Sequence, residues 1–150
     1  MNEIITESQF YKSLEPYIGL PINRSWKGHG SALILEIGNL TFDKGELSIM
    51  IEWSWRVEKD NSIWFGSWSE EETILDNIPK LSGYEIKKIS LFTRLPEISI
   101  SLSKNIWINS FSTVEGNPEL SIIFSNAEIE SRSGKLLRKI KQTTEPWKST

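Results

Sequence analysis

Between positions 47 and 57 the apolar residues fall on every second place, as Leu47, Ile49, Ile51, Trp53, Trp55 and Val57, while Ser48, Glu52, Ser54, Arg56 and Glu58 fill the alternate ones. Only extended backbone, whose side chains point alternately to two faces, puts such a set on one side. Met50 is the one apolar residue on the other side, so that face is wet or thinly covered. The polar run Glu58-Lys59-Asp60-Asn61-Ser62 interrupts the pattern and a second strand returns over residues 63–68, so residues 46–69 read as a β-hairpin at the centre of a sheet. A turn centred on Asp60-Asn61 sets Val57 against Trp64, Trp55 against Gly66 and Trp53 against Trp68, and four of the seven tryptophans then share one face. A loop one residue longer or shorter turns Trp64 and Trp68 away and brings in Ile63 and Phe65.

At 150 residues the chain is sized for one domain that buries roughly two-thirds of the surface exposed by its unfolded form. The absence of cysteine excludes disulfides, thiol nucleophiles, iron–sulfur clusters and thiolate zinc sites together, and no cofactor is implied. Residues 1–10, MNEIITESQF, have neither the basic start nor the apolar run of a secretory signal, and eighteen consecutive apolar residues occur nowhere, so a cytoplasmic location without membrane attachment is expected. Isoleucine occurs 21 times against two valines and two alanines, a bias associated with AT-rich bacterial genomes. Scarce alanine with abundant Ile, Ser and Trp favours sheet over helix.

One helix is expected near the start. Thr6 reads as its N-cap, Gln9 as the reciprocal capping partner, Ile5 and Phe10 as a hydrophobic staple, and Leu14 continues the apolar face until Pro16 ends it. Strands follow over residues 22–26 and 33–37, with a bulge at Gly38-Asn39 that returns Leu40 and Phe42 to the face of Leu35 and Ile37. Leu33, Leu35 and Ile37 are then expected opposite Trp55, Trp53 and Ile51. Ser69-Glu70-Glu71-Glu72 reads as a second capping box before Ile74, Leu75 and Ile78, and Pro79 limits that helix to about two turns.

From Gly83 the chain resembles its own first half. Gly83-Tyr84-Glu85-Ile86 lies against Gly19-Leu20-Pro21-Ile22, Ile98-Ser99-Ile100 against Leu35-Glu36-Ile37, and Phe111 against Trp53 or Trp55. A turn at Lys104-Asn105 pairs Leu102 with Trp107 and Ile98 with Phe111, and Glu115-Gly116-Asn117-Pro118 turns into a last strand over 120–124. The expected fold is mainly β, α+β at the margin, with antiparallel meanders in two pseudo-repeated halves (19–68 and 83–124) forming a sheet, a sandwich or an open barrel, plus one N-terminal helix. A basic tail, 131–150, completes the chain: residues 1–130 carry 19 acids against 11 bases, the remainder one acid against six bases.

Candidate sites are few. His29, the only histidine, sits in a Gly-rich polar loop, and one histidine without cysteine makes none of the common zinc sites. Glu36 and Glu52, on neighbouring strands, have the residue types of a glycosidase pair, though ordinary cross-strand charge patterning is their default reading. The cluster Trp53, Trp55, Trp64 and Trp68 reads as core packing by default, and otherwise as a flat platform for a sugar or a base, or as an interface anchor. The acidic body repels phosphates, so nucleic acid is not a favoured partner.

A small, acidic, Trp-rich, cysteine-free chain of this bacterial composition resembles the domains found among toxin-immunity proteins. The resemblance implies a non-enzymatic cytoplasmic protein that covers a toxin's active surface, with Glu70, Glu71, Glu72 and Asp76 standing in for phosphates against a basic face. The other readings are a small-ligand domain that stacks a sugar or flat ring on the tryptophan face, and a hydrolase using His29 or Glu36 and Glu52.

Overall fold

The computed structural model describes residues 2–113 and 120–141. The first helix forms as its capping residues dictate. Thr6 Oγ1 accepts the Gln9 N–H at 3.1 Å and Gln9 Oε1 accepts the Thr6 N–H at 2.9 Å, while Phe10 and Leu14 are buried beneath α1 (Glu7–Leu14). A 3-10 turn, Glu15–Tyr17, follows at Pro16. The second helix, α2 (Glu71–Asn77), begins one residue later than the sequence suggests, with Glu70 at the N-cap and no side-chain cap. Ser69 is diverted from that role because its Oγ accepts the Gly66 N–H at 3.0 Å. A second 3-10 turn, Ile78–Leu81, follows at Pro79.

The strands are β1 (Asn2–Ile4), β2 (Ile22–Lys27), β3 (Leu33–Ile37), β4 (Leu47–Ile51), β5 (Ser54–Lys59), β6 (Ser62–Gly66), β7 (Ile86–Leu91), β8 (Ile98–Leu102), β9 (Ile106–Phe111), β10 (Leu120–Ile123), β11 (Ala127–Arg132) and β12 (Lys135–Ile140). They make two antiparallel sheets in the orders β1-β12-β11-β10-β4-β3-β2 and β6-β5-β9-β8-β7. The sheets remain open and enclose one apolar core, a mainly β sandwich-like arrangement. Leu33, Leu35, Ile37, Leu47, Ile49 and Ile51 enter that core from the larger sheet; Trp55, Val57, Ile98, Ile100, Ile106 and Ile108 enter it from the smaller.

The long alternating stretch is therefore two strands rather than one. β4 and β5 lie in different sheets, and the chain crosses between them at Trp53, whose backbone is left-handed at φ +67°. The period of two survives the crossing, because both strands face the same core. Trp53 itself does not, and at 48% exposure it stands at the crossing. The mate of β3 is accordingly β4: Leu33, Leu35 and Ile37 pair with Ile51, Ile49 and Leu47, not with Trp55, Trp53 and Ile51. β3 stops at Ile37, and Leu40 and Phe42 project from the following loop instead of rejoining the core face.

The order of elements from α1 to β6 recurs from α2 to β11. β2, β3 and β4 form a meander in the large sheet, and β5-β6 then cross to pair with β9. β7, β8 and β9 form a meander in the small sheet, and β10-β11 cross to pair with β4. The two meanders meet where Gly19 N donates to Ile86 O (2.7 Å), Gly83 N to Ile22 O (2.7 Å), Ile22 N to Tyr84 O (2.8 Å) and Ile86 N to Leu20 O (2.9 Å). Gly19 and Gly83 hold φ of +95° and +99°, so both turns need glycine. Counted from Ile22 and Ile86, the strand mates are Ile37 and Leu102, two residues off the sequence alignment.

The β8–β9 turn occupies Ser103, Lys104 and Asn105, so Leu102 pairs with Ile106 and Ser101 with Trp107. The slip of one residue sends Trp107 and Phe111 to the outer face. The Glu115–Pro118 turn lies outside the described residues. Of the basic tail, residues 131–140 form the end of β11 and all of β12, where Lys139 and Arg132 flank Glu130 at 3.0 and 3.3 Å and Arg138 pairs with Glu3.

Trp55 is 2% exposed, donates its indole N–H to Ser31 O at 2.6 Å and meets Phe65 edge-on at 5.7 Å. Trp55→Ala is expected to cost about 3–5 kcal/mol in urea unfolding, and Trp53→Ala less than about 1 kcal/mol.

Candidate functional site

The outer face of the small sheet carries a groove beside the exposed Trp68. β5 and β6 turn at Asp60-Asn61, both left-handed as a two-residue hairpin turn requires. Lys59 pairs with Ser62 and Glu58 with Ile63, but Val57 then pairs with Phe65, so Trp64 is a bulge residue. The bulge moves every later pair by one place. Arg56, not Trp55, stands opposite Gly66, and a groove opens where Gly66 has no side chain.

This groove holds about 490 Å³ and is lined by Arg56, Ile63, Gly66, Trp68, Phe111 and Thr113, among others. Trp68 is 92% exposed and Ile63 67% exposed. Arg56 is oriented from behind: its Nε donates to Glu58 Oε2 at 2.7 Å, and Asn109 Nδ2 donates to the same oxygen at 2.6 Å. Its guanidinium lies 5.0 Å over the Phe111 ring, which in turn meets Phe92 edge-on at 6.2 Å. The result is a polar-centred trough between exposed apolar walls.

The four tryptophans expected on one face are distributed over three environments. Trp55 is core. Trp64 is half-buried, edge-on to Phe65 at 5.3 Å with Lys59 Nζ 4.9 Å from its ring. Trp53 and Trp68 are exposed at the end where β4 crosses to β5. Their segments are tied together through Trp55, whose N–H donates to Ser67 Oγ at 3.0 Å, and through Ser31, whose Oγ donates to Trp53 O at 3.1 Å. His29 is exposed in the adjoining loop.

Glu70, Glu71, Glu72 and Asp76 are all exposed on and just before α2, immediately after Trp68, with the exposed Leu75 among them. From position 60 to 79 the sequence has five acids and no lysine or arginine. Trp68 thus stands beside a stretch of chain whose charges are all negative, across the groove from Arg56.

Glu36 and Glu52 do not converge. Glu36 pairs with Ser48, and Glu52 lies four residues further along, roughly 13 Å at strand rise, beyond the spacing of a glycosidase pair. Glu36 is 2% exposed and holds the β3–β4 loop, its carboxylate accepting from Trp26 Nε1 (3.2 Å), Gly45 N (3.2 Å) and Ser48 Oγ. Among the described residues no group of three His, Cys, Asp or Glu side chains is placed to hold a metal ion, and no helix is long and apolar enough to cross a membrane.

Arg56, Asn109, Phe111 and Ile63 are not brought together as a site by the sequence, because the bulge at Trp64 and the three-residue β8–β9 turn leave no distinct sequence mark. No family model matches the chain, and no curated protein or solved structure is similar to it.

A Cβ at Gly66 would lie 2.9 Å from Trp55 O and 3.3 Å from the Arg56 Cα. Gly66→Ala therefore fills the floor of the groove and strains the hairpin, with an expected loss of about 1–3 kcal/mol in urea unfolding.

Proposed function

We propose that this chain is a non-enzymatic protein-binding module that captures a basic partner on the surface formed by β6, Trp68 and α2. The observation that carries the reading is a tryptophan exposed at 92% in the hydrogen-bonded turn that follows β6. A large amphipathic ring held in water on ordered backbone is the usual form of an interface anchor. Ile63 and Leu75 extend the apolar area, and Glu70, Glu71, Glu72 and Asp76 supply the complementary charge that speeds encounter and selects a basic surface. The resemblance to toxin-immunity domains gives this reading its most specific form, an inhibitor whose carboxylates occupy the phosphate positions of a nuclease.

The groove supports a second reading, a sugar or flat ring lying against Trp68 and Phe111, because about 490 Å³ is within the range of small-ligand sites. The two separate on the acids. In a complex isolated from the source cells, Trp68→Ala is expected to weaken binding by about 2 kcal/mol, roughly 30-fold. Glu70→Lys, Glu71→Lys and Glu72→Lys together should slow association and reduce its salt dependence. Unchanged affinity in both variants contradicts the proposal. Loss with Trp68→Ala but no response to the charge reversal favours the small-ligand reading.

A further inference from the structure

One side chain sets the chemistry of the groove beside Trp68. Among the described residues that line it, Arg56 alone carries a charge; the walls are the rings of Trp68 and Phe111 with Ile63, and the remaining polar groups are hydroxyls such as that of Ser69. Glu70, Glu71 and Glu72 follow Ser69 in the chain, and none of them lines the groove. The local charge available to a molecule inside is therefore a single cation.

That cation is held at its back and free at its tip. Its Nε donates to Glu58 Oε2 at 2.7 Å, Asn109 Nδ2 donates to the same oxygen at 2.6 Å, and the guanidinium carbon stands 5.0 Å from the Phe111 ring centre. No hydrogen bond or ion pair among the described residues uses either Nη group, and the side chain is 43% exposed. Glu58 thus orients the guanidinium fork without filling it. The wall opposite is also fixed: Ser69 N donates to Gly66 O (3.0 Å), Gly66 N to Ser69 Oγ (3.0 Å) and Ser67 N to Trp55 O (2.9 Å), which ties the turn carrying Trp68 to the hairpin. The Trp68 ring meets no other ring among the described residues, so a flat molecule lying on it removes apolar surface from water.

We propose that the groove is a binding site for a small aromatic monocarboxylate, its ring against Trp68 and its carboxylate on the Nη groups of Arg56. The proposal rests on the small-ligand reading of the groove and names the chemistry of that ligand. A planar guanidinium matches the two oxygens of a carboxylate. A neutral ring would leave the Nη donors without an acceptor, and a sugar has no need of a free cation. A phosphate dianion is disfavoured, because the one positive charge already has Glu58 at its side. Gly66, lacking a side chain, leaves the floor between Arg56 and Trp68 open for the ring.

The test is a proton–nitrogen correlation NMR titration of the full wild-type chain with indoleacetate, its neutral amide and indole, repeated on Arg56→Gln, Trp68→Ala and the control Arg24→Gln, which removes a cation from β2 in the other sheet. Shifts are expected in β6, in the turn that follows it and at the end of β9, with indoleacetate bound about tenfold or more tighter than the amide. Arg56→Gln should abolish that preference, Trp68→Ala should weaken acetate and amide alike, and Arg24→Gln should change neither. Equal binding of acetate and amide to wild type overturns the carboxylate assignment and leaves the small-ligand reading standing, whereas no shift with any of the three probes overturns both. A preference that survives Arg56→Gln, or shifts that fall outside the groove, overturns the proposal as well. The ratio of acetate to amide binding is read on wild type and does not depend on any variant folding.

Discussion

Four backbone hydrogen bonds between the segments 19–22 and 83–86 hold the two sheets together along one side, and the rest of the architecture follows from them. They are reciprocal: each segment gives the other the same two N–H groups and takes the same two carbonyls. The first strands of the two meanders, β2 and β7, are thereby fixed edge to edge, one in each sheet. Each meander then has one open side, and the hairpin that completes it comes from the other half of the chain. Neither half can finish its own sheet, so the core forms only when both are present.

This exchange explains where the aromatic residues sit. A strand that must leave one sheet and enter the other needs an abrupt change of direction, which Trp53 provides with a left-handed backbone. The hairpin that arrives in the small sheet brings Trp55 and Phe65 to the core, and its bulge turns Ile63 outward beside Arg56. The groove is thus a by-product of completing the sheet. Asn109 and Glu58 give that by-product an ordered polar centre, and beside it stand the exposed Trp68 and the acids of α2.

Much of the fold was legible in the sequence. The capping box at Thr6 and Gln9, the strand periods and the core positions Leu47, Ile49, Ile51, Trp55 and Val57 are local properties, fixed by hydrogen-bonding groups or by alternation. What was not legible depends on single-residue insertions. An alternating run looks the same whether it stays in one sheet or crosses between two faces of one core, so Trp53 was placed inside. The bulge at Trp64 and the third loop residue before Ile106 each shift register by one, which sends Trp107 and Phe111 outward and divides the expected tryptophan face. The acids of α2 were recognised by composition, but the groove beside them needed the register.

The central claim, that completing the sandwich buries Trp55 and leaves Trp68 in water, is tested most directly by fluorine NMR of the 5-fluorotryptophan-labelled protein with a soluble gadolinium chelate. Signals are assigned by Trp53→Phe, Trp55→Phe and Trp68→Phe. The account predicts that the Trp68 signal broadens most, the Trp53 signal less and the Trp55 signal least. Equal protection of Trp68 and Trp55, or a Trp55 signal that broadens with Trp68, would contradict it and return the four indoles to a common face.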